Sequence, residues 1–261
     1  MDEHQASCRA RLLAELPARM RSLYATGAYF VRVPAGSTEG FETAYWGEIV
    51  DPDGQRRDRF AERDLAVADL EAELSFIRAR GPGRILDVGC GLGWLLSALD
   101  DRWEKHGLEV SRVAAEHASR YGAVVVGSAQ TLPYEREAFD LVVCHHVIEH
   151  LEDPVSGLRE IHRVLKTGGS LVLGTPDFDS AAARRWRERF RLTFDPTHVS
   201  LFSADSMHRF LRDHGFVIDA VDFPYFETRH FTKENLLRAM DADGVSPPFY
   251  GSFMTFYATK R

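Results

Sequence analysis

Residues Ile85-Leu86-Asp87-Val88-Gly89-Cys90-Gly91-Leu92-Gly93-Trp94 join an apolar run to a glycine-rich turn. Glycines let the backbone approach a ligand closely, and a helix opening after the turn offers free N–H groups. Glu109 follows Gly89 by 20 positions. A carboxylate there, at the end of a second strand, can accept hydrogen bonds from both hydroxyls of a ribose. Two ligands compete for such a turn: a dinucleotide, or a nucleoside without a pyrophosphate. The dinucleotide fingerprint needs glycine at its sixth place, where Trp94 stands. Asp87 adds a negative charge that would repel a pyrophosphate. The pattern therefore favours a neutral or cationic nucleoside over NAD.

These residues need strands and helices to hold them. Five short apolar segments, 85–88, 106–110, 124–126, 141–144 and 171–173, alternate with amphipathic helices. That alternation predicts an α/β fold with a parallel sheet covered on both faces. The clearest helix is 154–165, with Val155, Leu158, Ile161 and Leu165 inward; Asp153 is its N-cap and Pro154 its first residue, and Gly168-Gly169 should end the unit. Upstream, Leu12, Leu16, Met20 and Leu23 recur at helical spacing, with Pro17 placed to start or kink the helix. Aromatic and loop residues follow, including Phe41, Tyr45 and Trp46, then a turn at 51–54. A second helix runs from about 59 to 79 with Leu70, Leu74 and Ile77 on one face. Downstream come a cap at 176–200, a helix at 203–214 and strands at 217–221 and 252–259. With both last strands the sheet has seven. The expected organisation is an N-terminal helical extension or lid, 1–80, and a nucleoside-binding domain, 81–261, with cap insertions at about 176–200 and 224–250.

Five pieces in order resemble a class I S-adenosylmethionine (AdoMet)-dependent methyltransferase, of the group that includes the ubiquinone-pathway O-methyltransferases. They are Leu86 to Gly93, Gly107-Leu108-Glu109-Val110-Ser111, Phe139-Asp140-Leu141-Val142-Val143, Val147-Ile148-Glu149-His150-Leu151 and Val164-Leu165-Lys166-Thr167-Gly168-Gly169. The resemblance covers 84–174, extends more loosely to 197–203 and the Gly215-Phe216 turn, and is weak in the first 80 and last 40 residues. It implies a Rossmann-like, mainly parallel sheet and AdoMet as cofactor. It further implies that Asp87, Gly89, Cys90 and Gly91 line the methionine part, that Glu109 holds the ribose and that Val110 lies against adenine. The loop 127–133, with Ser128, Ala129 and Gln130, should contact the base. Ser128 stands where the group commonly has Asp, and a hydroxyl can still bond the adenine amino group. His145, just past the fourth strand, belongs to the segment that should face the sulfonium.

Methyl transfer is an in-line displacement at a sulfonium carbon, in which the protein aligns the partners and removes a proton from the nucleophile. Histidine suits that base because its unperturbed pKa lies near neutrality. His145, His146 and His198 are the candidates, with His198 arriving on the cap; each also reads as an ordinary hydrogen-bonded imidazole. His146-Val147-Ile148-Glu149-His150 fits the peptidase pattern H-x-x-E-H letter for letter, and on a helix His146 and His150 could share a metal. The peptidase context is absent, and Glu149-His150 is common in the group it resembles, where it positions the next helix. The structural reading is preferred and no metal ligand is assigned, with a divalent metal supporting O-methyl transfer as the lesser option.

Tyr45 and Trp46 either close over AdoMet or anchor the extension. Arg184, Arg185, Arg187, Arg189 and Arg191 either hold a carboxylate, phosphate or carrier protein, or form a solvated face with Trp186 and Phe190 inward. Tyr225, Phe226, Phe249, Tyr250, Phe253, Phe256 and Tyr257 are expected to be part core and part pocket wall, where aromatic faces would favour a sulfonium.

Composition bounds the rest. The 261 residues carry a net charge of −7, which argues against non-specific nucleic-acid binding. No apolar stretch approaches the roughly 20 residues of a membrane span, and the first residues lack the basic and apolar regions of a signal peptide. Cys8, Cys90 and Cys144 are too few and scattered for a disulfide framework, so a reducing cytoplasm is the expected compartment. A homodimer is left open. The leading function is methyl transfer to a small molecule, with oxygen the preferred acceptor. Two alternatives stand beside it: intramolecular cyclisation of AdoMet releasing methylthioadenosine, and a non-catalytic AdoMet-binding module.

Overall fold

The computed structural model describes residues 3–36, 45–52, 54, 56–224, 228–241, 243–248 and 252–261. Phe41, Tyr225, Phe226, Phe249 and Tyr250 lie outside the described residues.

In chain order the helices are α1 (Glu3–Ala14), α2 (Leu16–Thr26), α3 (Arg63–Asp69), α4 (Glu71–Ala79), α5 (Trp94–Ser97), α6 (Arg112–Ala118), α7 (Pro154–Val164), α8 (Ala181–Trp186), α9 (Ala204–Asp213) and α10 (Lys233–Met240). The strands are β1 (Val31–Arg32), β2 (Glu48–Val50), β3 (Arg56–Asp58), β4 (Arg84–Val88), β5 (Glu104–Glu109), β6 (Ala123–Val126), β7 (Phe139–His145), β8 (Leu165–Pro176), β9 (Ser200–Leu201), β10 (Phe216–Asp222) and β11 (Phe253–Lys260). Seven of them form one sheet in the order β10-β11-β8-β7-β4-β5-β6. β4 pairs in parallel with β5 and β7, β5 with β6 and β7 with β8, while β11 runs antiparallel between β8 and β10. The fold is thus the seven-stranded, mainly parallel Rossmann-like sheet that the sequence predicts. The chain leaves β4 toward β5 on one side and returns to β7 on the other. The crevice beyond the carboxyl ends of β4 and β7 is the switch point where such sheets bind ligands.

The pattern of apolar residues explains both faces. Leu158, Ile161 and Val164 of α7 and Phe210 of α9 are buried against Leu86, Val88, Val142 and Cys144. Leu74 and Ile77 of α4 are buried with Ile85, Leu141 and Val143 on the opposite face. Fully burying one such aliphatic side chain contributes about 1.5–3 kcal/mol. Asp153 caps α7 by accepting from the Ser156 N–H, with Pro154 in the first turn. Ser203 and Ser206 cap α9 reciprocally.

Several boundaries differ from expectation. The helix expected at 59–79 is two helices, because Leu70 (φ −101°, ψ 12°) leaves helical geometry and its N–H bonds Val67 O in a tighter turn. β8 begins directly after α7 and contains Gly168-Gly169, which were expected to end the unit. The register passes from Phe139↔Leu165 to Leu141↔Ser170, so the glycines form a bulge within the strand. β5 ends at Glu109, which leaves Val110 outside the strand. Pro17 starts α2, as expected.

The N-terminal helices share a third core with residues 178–201. Leu16, Met20 and Leu23 of α2 pack with Phe178, Trp186, Phe190 and Leu201, and β1 pairs antiparallel with β9. Among the described residues no helix is long and apolar enough to cross a membrane.

Candidate active site

β4 delivers Asp87 and the glycine turn to the switch point. A cleft of about 240 Å³ opens there, lined by Trp46, Arg57, Arg59, Asp87, Gly89, Cys90, Gly91, Trp94 and His145 among others. Gly91 has φ +52°, and a Cβ on it would lie 2.9 Å from the Trp46 ring, so only glycine admits the indole so close. The Trp46 ring thus lies directly against the glycine turn. Tyr45 packs edge-on against Trp46, and the Arg59 guanidinium lies 3.7 Å above the Tyr45 ring. Trp94 meets His117 and Tyr121 on α6 and the residues after it.

Glu109 is 5% exposed, and its two oxygens accept from the Gly91 N–H at 3.0 Å and the Ser111 N–H at 2.9 Å. The carboxylate thus ties the glycine turn to the start of α6. An ionised carboxylate has about four acceptor sites, so two remain for hydroxyls. Asp87 is buried, and burial pushes its carboxyl up to about 7, His145 opposing and Glu109 adding to the shift. Val110 is 66% exposed. Ser128 is exposed, its hydroxyl accepting from the Gln130 N–H, while Ala129 belongs to the core. None of these four residues lines the cleft.

The three candidate bases separate into two groups. His145 ends β7 and lines the cleft; its Nε2 lies 3.4 Å from Glu73 Oε1. His146 adopts φ 56° and bonds Glu149 Oε1 through Nδ1 at 3.1 Å. Residues 148–150 form a 3-10 turn, so His146 and His150 are not one α-helical turn apart. Instead Glu149, His150 and His198 bring one ligand atom each within 4.8 Å of one another, a set able to hold a metal ion. Outer partners fix these rings: His198 Nδ1 bonds Leu192 O at 2.7 Å, His150 Nδ1 bonds Thr197 Oγ1 at 2.7 Å, and Thr197 in turn donates to Asp195. His198 is 5% exposed and lies outside the cleft lining. Burial and His145 lower the His146 pKa against the pull of Glu149, and burial likewise lowers that of His198.

The arginine cluster is dispersed. Arg184 pairs with Asp179 and Arg189 with Asp243, Arg185 lies over Trp186, and Trp186 and Phe190 are buried as the structural reading expects. Phe256 and Tyr257 are buried, and Phe253 meets the edge of His146.

Sequence reasoning missed three residues. Arg9 is buried and donates to the carbonyls of Pro34, Asp195 and His198, tying α1 to the 195–198 loop. Arg59 lines the cleft from the extension. Glu73 stands three residues after Leu70 and four before Ile77, on the apolar stripe of α4. A carboxylate on a buried stripe was the available signal for Glu73; nothing local marks Arg9 or Arg59.

Residues 56–221 match the family described as a methyltransferase domain. A ubiquinone biosynthesis O-methyltransferase of Sodalis glossinidius is 31% identical over 55% of this chain and 67% of its own. Other curated relatives are spanned to between 35% and 71% of their length. A solved SAM-dependent methyltransferase from Thermotoga maritima, described as a possible histamine N-methyltransferase, is 26% identical with TM-score 0.56, covering 77% of this chain and 94% of that one. The (4+2)-cyclase SpnF shares the fold at 23% identity and TM-score 0.58, over 88% of this chain and 99% of its own.

Proposed function

The chain belongs to the methyltransferase-domain family and uses AdoMet, and from that premise we propose that it methylates a small molecule, with oxygen the preferred nucleophile. The observation that carries this is the convergence of Asp87, the Glu109-bound glycine turn, Trp46 and His145 on one cleft at the switch point. Asp87 suits the cationic methionine end, and Glu109 keeps acceptor sites for the ribose. The acceptor's lone pair attacks the methyl carbon, the carbon–sulfur bond breaks toward sulfur, and S-adenosylhomocysteine leaves. The acceptor's proton passes to a base. Burial lowers the pKa of His146 and of His198, which favours the uncharged form a base requires. Oxygen is preferred on the likeness to the ubiquinone biosynthesis O-methyltransferase; the N-methyltransferase description of the Thermotoga structure makes nitrogen the competing acceptor. A panel of phenols, carboxylic acids and amines incubated with deuteromethyl AdoMet tests it: labelled ethers or esters support oxygen, and labelled amines alone overturn that preference.

The convergence of Glu149, His150 and His198 favours a second reading, in which a divalent cation held there orients the acceptor oxygen. Turnover lost on chelation and restored by added cation supports it; turnover indifferent to chelator removes it.

A further inference from the structure

Across three neighbouring strands, His145, Gly174 and Thr255 stand in one row, Gly174 pairing with His145 on β7 and Thr255 on β11. All three face α4. Because Gly174 has no side chain, the His145 imidazole lies across it: a Cβ there would sit 2.2 Å from Cδ2 of the ring. Glu73 fills the space above. It is 5% exposed, its Oε1 accepts from Thr255 Oγ1 at 2.9 Å and faces His145 Nε2 at 3.4 Å, and its Oε2 is buried without a hydrogen-bond partner among the described residues.

Burying a carboxylate in an otherwise apolar helix face is costly, and replacing a buried ion pair with apolar side chains is often neutral or stabilising. Packing alone therefore gives no reason for Glu73. Its polar neighbours are Thr255 and His145, and His145 reaches the cleft beside Asp87.

We propose that Glu73 is a positioning residue that holds the His145 imidazole, protonated, against the carboxylate of AdoMet's methionine moiety, while Asp87 receives the ammonium. The site would then carry opposite charges for the two ends of a zwitterion, with Glu73 neutralising the imidazolium from behind. This rests on the reading of the cleft as the AdoMet site. The charged groups around His145 are Glu73 from α4, Asp87 from β4 and Glu149 from the turn after β7, with His146 as its neighbour. Burial works against the charged ring, but the three carboxylates together raise its pKa above the ordinary histidine value. Arg59, also in the cleft, is the rival partner for the same carboxylate.

Calorimetry with AdoMet and decarboxylated AdoMet separates positioning from mere structural support. The wild-type protein should prefer AdoMet by about tenfold or more, the scale of a charge-assisted hydrogen bond. Glu73→Gln and His145→Asn should each reduce that preference to below about threefold, whereas Arg59→Met should retain it. Equal weakening of both ligands by Glu73→Gln, or an unchanged preference in His145→Asn, overturns the proposal, as does a preference abolished only by Arg59→Met. A wild-type protein that binds neither nucleoside removes the cleft reading itself, and the proposal with it.

Discussion

Glu109 Oε2 accepts a hydrogen bond from the Gly91 backbone N–H at 3.0 Å, so the residue read as the ribose acceptor also shapes the glycine turn. Glu109→Ala removes both roles. AdoMet binding should weaken by about 2–4 kcal/mol, combining lost ribose bonds with a relaxed turn. Glu109→Gln keeps an acceptor and should lose less. Calorimetry on the two variants checks this, and wild-type affinity in Glu109→Ala would show that the ribose lies elsewhere.

Arg9 concerns the cap. Its guanidinium satisfies the Asp195 and His198 carbonyls from a helix almost two hundred positions away. Arg9→Met leaves those acceptors wanting and should cost about 2–3 kcal/mol of stability by chemical denaturation. Because the cap loop carries His198, turnover should fall further than AdoMet affinity. Equal losses in both would point to a general unfolding of the extension.

Much of this was legible from local pattern. The alternation of apolar strands and amphipathic helices announced the sheet, and Asp153-Pro154 and Ser203 announced their helices, because caps and periodicity act within a few residues. The glycine turn and Glu109 were legible for the same reason. What was not legible depends on distant chain: Arg9 meets His198, and Glu73 meets Thr255, only after the sheet has formed. His146 and His198 were grouped with His145 as candidate bases, but His146 bonds Glu149, His198 is held by the Leu192 carbonyl beside Glu149 and His150, and His145 alone of the three lines the cleft. The break at Leu70 carries no glycine or proline to betray it.

The histidines divide by experiment as they divide in space. If His198 or His146 removes the proton, its change to Ala should lower turnover by about 10²–10⁴ with AdoMet affinity nearly intact. His145→Ala should instead weaken AdoMet binding first. Turnover unchanged in both His146→Ala and His198→Ala would mean catalysis by alignment alone.

Asp87 gives a pH dependence of unusual sign. Burial raises its carboxyl to about 7, above the 3.8 of the unfolded chain, so the folded protein holds the proton more tightly. Stability from this group is present at low pH and is lost as pH rises through the window between those values. Relative to Asp87→Asn, the ligand-free wild type should lose about 2–3 kcal/mol between pH 5 and 7.5 in urea titrations. Parallel curves for the two proteins would place Asp87 in contact with solvent.

The fate of the methyl group is the most direct test of AdoMet-dependent transfer to a small molecule. The protein is incubated with methyl-labelled AdoMet and a small-molecule extract, and the products are resolved by mass spectrometry. S-adenosylhomocysteine should appear in equal amount with a labelled acceptor of low mass. Methylthioadenosine without any labelled acceptor would contradict methyl transfer and assign the cleft to cyclisation of the cofactor itself.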